Sequence, residues 1–453
     1  MKSNLDTDRP IRRILLECTD TYFSDWNTGI QRVVRNVARE STAIGRQCGI
    51  ECKPIVRIGD RFLALPWTPR ISRPQRNWKE SLARWWPTQD MWDSRPVLRL
   101  LRRCGIRLRK LFYPRTLVRK LTYMRWSLKG ETIIPGEGDT LVLLDAWWNR
   151  NNWLAVSQAR HHGAAIGVVM YDLLPVTHPE FFKSNVTEPF SAALQIALEQ
   201  GDYFVAISDA VRDALREYAE QHGPRRRLHP SSFVSFRLGS TLDLIRRNGQ
   251  VREPLQRAFN RPGAQPPYLT VGTIEPRKNH VLLLDAFDQI WPRFPGAGLC
   301  IVGRIGWLCE DLVQRIVRHP QYGRALFMFN DLSDSELAYC YQHAKGLLFP
   351  SHAEGFGLPV VEALQHRLPV LVSDIPIHRE VGRDFCTYFD PLSPAALTRL
   401  VCDIEATGTF PAVRQPDDFA LPSWKESTRE FLNKCLLACG RNQSQQSATS
   451  RAA

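Results

Sequence analysis

Short apolar runs alternate along this chain with stretches of helical periodicity. Ile11 to Cys18 holds a compact run, Ile14-Leu15-Leu16, that predicts a strand. The segment Asp25-Trp26-Asn27-Thr28-Gly29 is turn-like. Ile30, Val33, Val34, Val37 and Ala38 then recur at i, i+3, i+4, i+7 and i+8, which predicts an amphipathic helix with Arg32 and Arg35 off its apolar stripe. Three more strand-like runs follow, each closed by polar residues. Thr140–Leu144 leads into Asp145, Ala165–Met170 into Tyr171-Asp172, and Tyr203–Ile207 into Ser208-Asp209 and a helix from about Ala210. A second series runs Tyr268–Val271, Gly298–Val302, Ala325–Phe329, Gly346–Phe349 and Leu368–Val372. Apolar strands alternating with helices imply parallel sheets with crossover connections. The polar residues after each strand then sit at the carboxyl edge, where open α/β sheets bind ligands.

At 453 residues the chain exceeds what one hydrophobic core usually organises. The series divides it into an N-terminal domain over 1–250 and a C-terminal domain over 251–410. Residues 250–267, with Arg252-Glu253-Pro254 and Arg261-Pro-Gly-Ala-Gln-Pro-Pro267, read as a linker. A helix within 411–440 is expected to return to the first domain. The small polar residues from Arg441 to Ala453 predict a disordered tail.

Residues 54–135 form a basic, Trp-rich insertion of different character. Between Val97 and Gly130 stand 11 basic residues and no acidic one, threaded with Leu, Ile, Phe and Trp. That pattern suits a helix lying on an anionic membrane surface. The competing reading is a solvated basic insertion packed on the domain. The net charge of +14 also raises nucleic acid, but no reader motif supports it. The 11 cysteines are odd in number, scattered and free of C-x-x-C pairs, which points away from a disulfide framework or zinc cluster and toward a reducing compartment. Met1–Pro10 is polar and Ile14–Leu16 is too short for a leader's apolar core, and no run of 18 apolar residues occurs. The expected location is cytoplasmic, or peripheral on the inner face of the plasma membrane.

Two constellations carry chemistry. Glu354-Gly355-Phe356-Gly357-Leu358-Pro359-Val360-Val361-Glu362 sets two glycines before a proline suited to a first helical turn. Glycines permit close approach of a ligand, and the helix start offers free amides to phosphate. The carboxylates Glu354 and Glu362 each accept hydrogen bonds from sugar hydroxyls. Glu275-Pro276-Arg277-Lys278-Asn279 follows a strand and opens a helix, putting two cations where a diphosphate could be neutralised. Asp172 at a strand end is a candidate base beside the alternative of a capping carboxylate, and His178 lies in a loop expected to face the cleft. No Asp-x-Asp metal motif ends a strand, so no metal is expected, and His161-His162 reads as a surface pair.

From Tyr268 to Pro391 the sequence resembles the retaining glycosyltransferases of family 4. The resemblance rests on Val271–Asn279, Gly303-Arg304-Ile305-Gly306-Trp307, Asp331–Asp334, Ser351–Glu362 with its Glu-x7-Glu spacing, and Ser373–Glu380. Thr28-Gly29-Ile30-Gln31-Arg32 is similar to the family's first glycine-loop helix. The resemblance implies the GT-B fold, two Rossmann-like parallel-sheet domains facing a central cleft. It implies that Arg277 and Lys278 hold a donor diphosphate, that Glu354 binds the sugar near the reacting carbon, and that Glu362 binds the ribose. Gly29, Gly272, Gly303 and the Phe356, Gly357 and Leu358 backbone would complete the donor site, with Asp172 and His178 toward the acceptor. Two positions depart from the pattern. Tyr171 stands where the family often has histidine, and Arg367 where a glycine usually ends the helix, which predicts a differently built turn.

The implied activity is transfer of a hexose, with GDP-mannose or another nucleotide hexose as donor, onto a glycan or lipid-linked oligosaccharide in bacterial surface polysaccharide assembly. It needs no cofactor beyond the donor. A non-catalytic GT-B protein that binds polysaccharide or membrane is the alternative, disfavoured by the presence together of Glu354, Arg277, Lys278 and Glu362.

Overall fold

A computed structural model of the chain describes residues 11–24, 29–64, 130–148, 153–224, 228–239, 249–411, 414 and 418–452, with side chains to Gly440. The interfacial reading of 97–130 falls, apart from Gly130, outside the described residues.

The first sheet has eight strands in the order β4-β3-β2-β1-β5-β6-β7-β8. They are β1 Arg13–Glu17, β2 Glu51–Ile58, β3 Arg61–Ala64, β4 Glu131–Ile133, β5 Asp139–Leu143, β6 Ala165–Met170, β7 Tyr203–Ala206 and β8 Phe233–Ser235. From β2 to β8 every pairing is parallel, and β3 alone runs against its neighbours. The insertion expected over 54–135 is therefore narrower than the composition implied. Its two ends are strands, because Ile55, Val56, Phe62, Leu63 and Ile133 are apolar enough to bury against the core.

The second sheet is all parallel, in the order β11-β10-β9-β12-β13-β14. Its strands are β9 Tyr268–Val271, β10 Leu299–Val302, β11 Leu326–Phe329, β12 Leu347–Phe349, β13 Val370–Ser373 and β14 Thr387–Phe389. Strand order reverses between β9 and β12. That is a topological switch point, where loops leave the sheet in opposite directions and open a crevice. The two motifs singled out above occupy the loops after these two strands. In the first sheet the order reverses between β1 and β5, whose carboxyl ends carry Glu17 and Asp145.

Three expectations need correction. The segment read as a linker contains a helix, Glu253–Phe259, with Pro254 in its first turn and Leu255, Ala258 and Phe259 buried. Arg252 pins its start through Glu336 at 2.6 Å and Asp331 at 3.0 Å. The turn after helix Leu358–Gln365 keeps the left-handed geometry despite its arginine, with Arg367 at φ 60°. The Leu368 amide donates to the Ala363 carbonyl at 2.9 Å, closing a Schellman-type end that, with the burial of Leu368, offsets the strain. The tail read as disordered continues the final helix, Trp424–Ala452. Residues 441–452 contain no glycine or proline, and extending a formed helix avoids the cost of nucleation.

That last helix lies on the first domain. Trp424, Phe431, Leu432, Cys435, Ala438 and Cys439 make one buried face. Phe431 meets Phe236 with ring centroids 5.0 Å apart, and Ser427 donates to the Arg237 carbonyl at 2.6 Å. The stripe Val33, Val34, Val37 and Ala38 of helix Gly29–Gln47 is buried as its spacing predicts. Ten cysteines among the described residues are free thiols, eight of them buried.

Candidate active site between the two domains

After β9 the chain turns through Gly272–Glu275 into a single 3-10 turn, Pro276–Lys278. Asn279 follows in the left-handed region at φ 54°, its amide side chain donating to the carbonyls of Pro350 and Pro391. The turn is thereby tied to the loop after β12. Arg277 Nη1 lies 2.8 Å from Glu354 Oε2, and Lys278 Nζ 2.5 Å from Glu354 Oε1. Arg277 Nε also meets Glu275 Oε1 at 2.6 Å. Side-chain exposures of 18% for Arg277, 9% for Lys278 and 7% for Glu354 place the cluster below the surface, so its charges are weakly screened. Lys278 Nζ sits over the Phe349 ring, 4.8 Å from its centroid.

The protonation states follow from this packing. Burial alone would raise the Glu354 carboxyl, but Arg277 and Lys278 outweigh it and hold the group well below the usual carboxylate range. Burial pulls the Lys278 ammonium down, opposed by Glu354. Burial raises Glu275 against the pull of the same cations. Two cations thus face two carboxylates at the start of helix Leu358–Gln365, whose N-cap Gly357 takes φ 90°.

Glycines bring the walls close. A Cβ on Gly272 would stand 3.2 Å from Lys278 Cε, and one on Gly303 would overlap the Gly272 carbonyl. Phe356 is buried beneath the loop. His378 is fully buried, with Nδ1 at 3.0 Å from the Ser373 carbonyl. A carbonyl only accepts, so Nδ1 carries the proton. The Nε2 lone pair, without a hydrogen-bond partner among the described residues, faces the space beside Gly357.

The first domain closes the other side. Gly29 packs on Leu358, where an added Cβ would meet Cδ1 at 3.2 Å, and one on Gly355 would meet Asp172 Cβ at 3.1 Å. Arg32 Nη1 reaches Glu362 Oε1 at 2.6 Å, while Tyr341 donates to Glu362 Oε2 at 2.8 Å. Glu380 accepts from the amides of Asp209 and Ala210, both at 2.8 Å, and so caps helix Asp209–His222 from the opposite domain. Trp307 Nε1 donates to the Phe181 carbonyl at 2.9 Å, and the Phe181 ring stacks on His352 at 5.4 Å.

Of the residues singled out in the sequence, Arg277, Lys278 and Glu354 meet in one cluster. Asp172 lies against Gly355, Gly29 against Leu358, and Glu362 lies a turn along the helix. Burial raises the Asp172 carboxyl, Arg277 lowers it, and Oδ1 caps the Leu174 amide at 3.2 Å, so the capping reading describes one of its contacts. His178 stands apart from the cluster, its ring stacked on Phe181 at 6.0 Å. Sequence reasoning gave no role to Arg32, Tyr341, His378 or Glu380. Arg32 carried two signals, its place off the apolar stripe and its position at the end of the Thr28–Arg32 motif; His378 and Glu380 lay in the Ser373–Glu380 motif without a partner. Among the described residues no group of three or more His, Cys, Asp or Glu side chains is arranged to hold a metal ion, and no helix is long and apolar enough to cross a membrane.

Residues 251–409 match the family described as glycosyl transferases group 1. Over 282 residues, 62% of this chain, the sequence is 31% identical to the serotype-specific mannosyltransferase WbdA of Escherichia coli, of which the match covers 34%. Over 274 residues it is 28% identical to the O-antigen chain mannosyltransferase B of Escherichia coli, covering 58% of this chain and 68% of that protein. The chain thus spans about a third of the length of WbdA. Among solved structures, sucrose-phosphate synthase from Thermosynechococcus elongatus aligns with a TM-score of 0.52 at 16% identity, over 97% of this chain and 98% of that one. HepE of Anabaena, in complex with UDP and glucose, aligns at 0.51 and 14% identity, over 97% and 99%. At such identities the likeness concerns the fold. The chain has the GT-B fold, carries a glycosyl transferases group 1 domain over residues 251–409, and is homologous to bacterial mannosyltransferases.

Proposed function

We propose that this protein is a glycosyltransferase acting on a nucleotide-sugar donor in polysaccharide biosynthesis. More finely, it would be a retaining mannosyltransferase that uses GDP-mannose and a glycan or lipid-linked acceptor. The observation that carries the reading is the convergence of Arg277, Lys278 and Glu354 at a switch point, beside a helix start with a glycine N-cap. Cations there oppose the charge that develops on a departing diphosphate, the contribution expected to dominate such a reaction. In this reading Arg277 and Lys278 take the diphosphate. The Phe356–Leu358 backbone, Gly272 and Gly303 shape its bed, and Gly29 closes over it. Glu354 takes hydroxyls of the transferred sugar, and Glu362 the ribose. Asp172, held beside Gly355, is the candidate base for the acceptor hydroxyl, with His178 farther out along the acceptor path.

The mannose assignment is supported by the likeness to two E. coli mannosyltransferases. The basic stretch 97–130 would hold the protein at the inner face of an anionic membrane, where a lipid-linked acceptor would lie, and nucleic acid is not a partner in this reading. The test is transfer from a panel of nucleotide sugars, with Lys278→Ala as control. The expected result is turnover with GDP-mannose and loss of at least 100-fold in Lys278→Ala. Full activity in that variant sinks the donor site, and turnover only with another sugar sinks the mannose assignment.

A further inference from the structure

Away from the cation cluster, the first domain carries a groove of about 790 Å3 between helices Ser184–Gln200 and Asp209–His222. Its end wall is the segment Pro175–Pro179, which follows Asp172 and includes Thr177 beside His178. The volume lies within the roughly 300–1,000 Å3 of ordinary small-molecule sites, enough for a short oligosaccharide. Helix Ser184–Gln200 leads into strand β7 and helix Asp209–His222 leads out of it, so in this parallel stretch of sheet the two run in the same sense. The loop at its end is the one that lies against the second domain through Asp172, Gly355, Phe181 and His352.

The lining has a definite chemistry. Glu188 and Glu217 project carboxylates, and Gln221 donates to Glu217 at 3.2 Å while keeping its carbonyl oxygen for a second partner. Tyr218 and His222 stack with centroids 4.6 Å apart and interplanar angle 22°, giving a flat apolar face with polar rims. Pro175, Val176, Ala192 and Ala214 supply the rest of the apolar surface. No lysine or arginine is among the described lining residues, in a chain whose net charge is +14.

That contrast narrows the occupant. An anionic ligand would take the basic surface, not a groove with two carboxylates and no basic counterion. A pyranose oligomer matches what is present: its hydroxyls donate to carboxylate and amide oxygens, and its C–H faces lie on flat aromatic or proline surface. We infer that this groove holds the neutral sugar chain of the acceptor, past His178 and away from the site of transfer. The inference rests on reading the chain as a glycosyltransferase, and it adds a subsite several residues removed from the reacting end. A chain held there extends the acceptor's grip beyond its last sugar, so longer acceptors bind more tightly with little change in the chemical step.

The test uses the full chain and α-linked mannotetraose as probe, followed by calorimetry and saturation-transfer NMR, with GDP titrated in parallel. Tyr218→Ala and the double variant Glu188→Gln/Glu217→Gln should each weaken tetrasaccharide binding at least fivefold and leave GDP binding unchanged. Lys278→Ala should do the reverse. Glu188 and Glu217 are exposed, so the double variant tests the groove without disturbing the core. Absence of tetrasaccharide binding to the unaltered protein overturns the inference. So does binding that both groove variants leave intact, or displacement of the tetrasaccharide by equimolar tetralysine, which would make the groove a site for cationic peptide. Should Lys278→Ala keep its GDP affinity while the groove variants behave as expected, the donor reading fails and the groove assignment stands.

Discussion

In the proposed donor site Glu354 and a diphosphate would compete for the same two cations, and replacing Glu354 by glutamine isolates that competition. The carboxylate holds Arg277 at 2.8 Å and Lys278 at 2.5 Å in a site where its side chain is 7% exposed. Charge-assisted hydrogen bonds of this kind are worth about 1.5–3 kcal/mol each. A diphosphate that engages Arg277 and Lys278 must loosen one or both. Glutamine keeps the shape and removes the charge, so that part of the cost disappears. If half of one such bond at the upper end of that range is recovered, the gain is about 1.4 kcal/mol, a tenfold tightening. Calorimetric titration of Glu354→Gln with GDP and UDP should show at least one of them binding about tenfold more tightly than to the unaltered chain, while sugar transfer is lost. The variant should also melt lower without nucleotide, because buried Lys278 loses its ion-pair partner and Arg277 is left with Glu275 alone, and should recover more on adding it. The gain has a pH signature. Lys278 is already pulled down by burial, and losing Glu354 pulls it further. Its proton is then shed at lower pH, so the extra affinity shrinks as pH rises. Unchanged or weaker nucleotide binding in Glu354→Gln at every pH from 6 to 8 would refute the competition.

Two further outcomes concern stability. Burial, reinforced by the neighbouring Asp145, raises the Glu17 carboxyl from its usual 4.5 to about 7. The folded chain therefore holds this proton more tightly than the unfolded chain does. Stability should be greatest below pH 4.5 as far as this group is concerned, and should decline by about 2–3 kcal/mol up to pH 7; Glu17→Gln should flatten that decline in denaturant titrations, and an unaltered slope would remove Glu17 as its source. Arg367→Gly should raise stability by up to about 1 kcal/mol by relieving a left-handed arginine, and a lower melting temperature would show that the arginine side chain contributes more than its backbone costs.

Period and punctuation in the sequence were enough for most of the strands and for the division into two sheets, because apolar runs of four to six residues have few other uses in an α/β chain. They failed where the signal is short or shared. Strands β8, Phe233-Val234-Ser235, and β14, Thr387-Tyr388-Phe389, are three residues long and broken by polar residues, unlike the equally short but wholly apolar Leu347-Leu348-Phe349 of β12. The Glu253–Phe259 helix hides between two proline-bearing segments, since Pro254 marks a helix start and a linker equally well. At the site, Arg277, Lys278 and Glu354 were legible because each lies in a motif directly after a strand. Arg32, Tyr341 and His378 were not, for a different reason. Arg32 and Tyr341 owe their roles to partners far along the chain, 330 and 21 positions from Glu362, whereas His378 is fixed by Ser373 five residues back and owes its place to the Gly357 loop that packs beside it. Such pairings are set by how elements pack, which no local pattern encodes.

Those pairings also bear on how the two domains work together. Both carboxylates proposed to meet the donor are already bound, Glu354 by two cations of its own domain and Glu362 by Arg32 of the other. A ribose reaching Glu362 must offer hydroxyls in place of the Arg32 guanidinium, which is a stronger partner. The exchange is favourable only if Arg32 gains another anion, and the donor's phosphates, expected near Gly29 and Leu358, are the anions at hand. Arg32 lies on the Gly29 helix, one turn from that glycine. Ribose recognition in one domain and phosphate recognition from the other would then be a single linked step. The interdomain ion pair sets the cost of binding a fragment that carries only one of the two groups, and a nucleoside without phosphates would have nothing to give Arg32 in return.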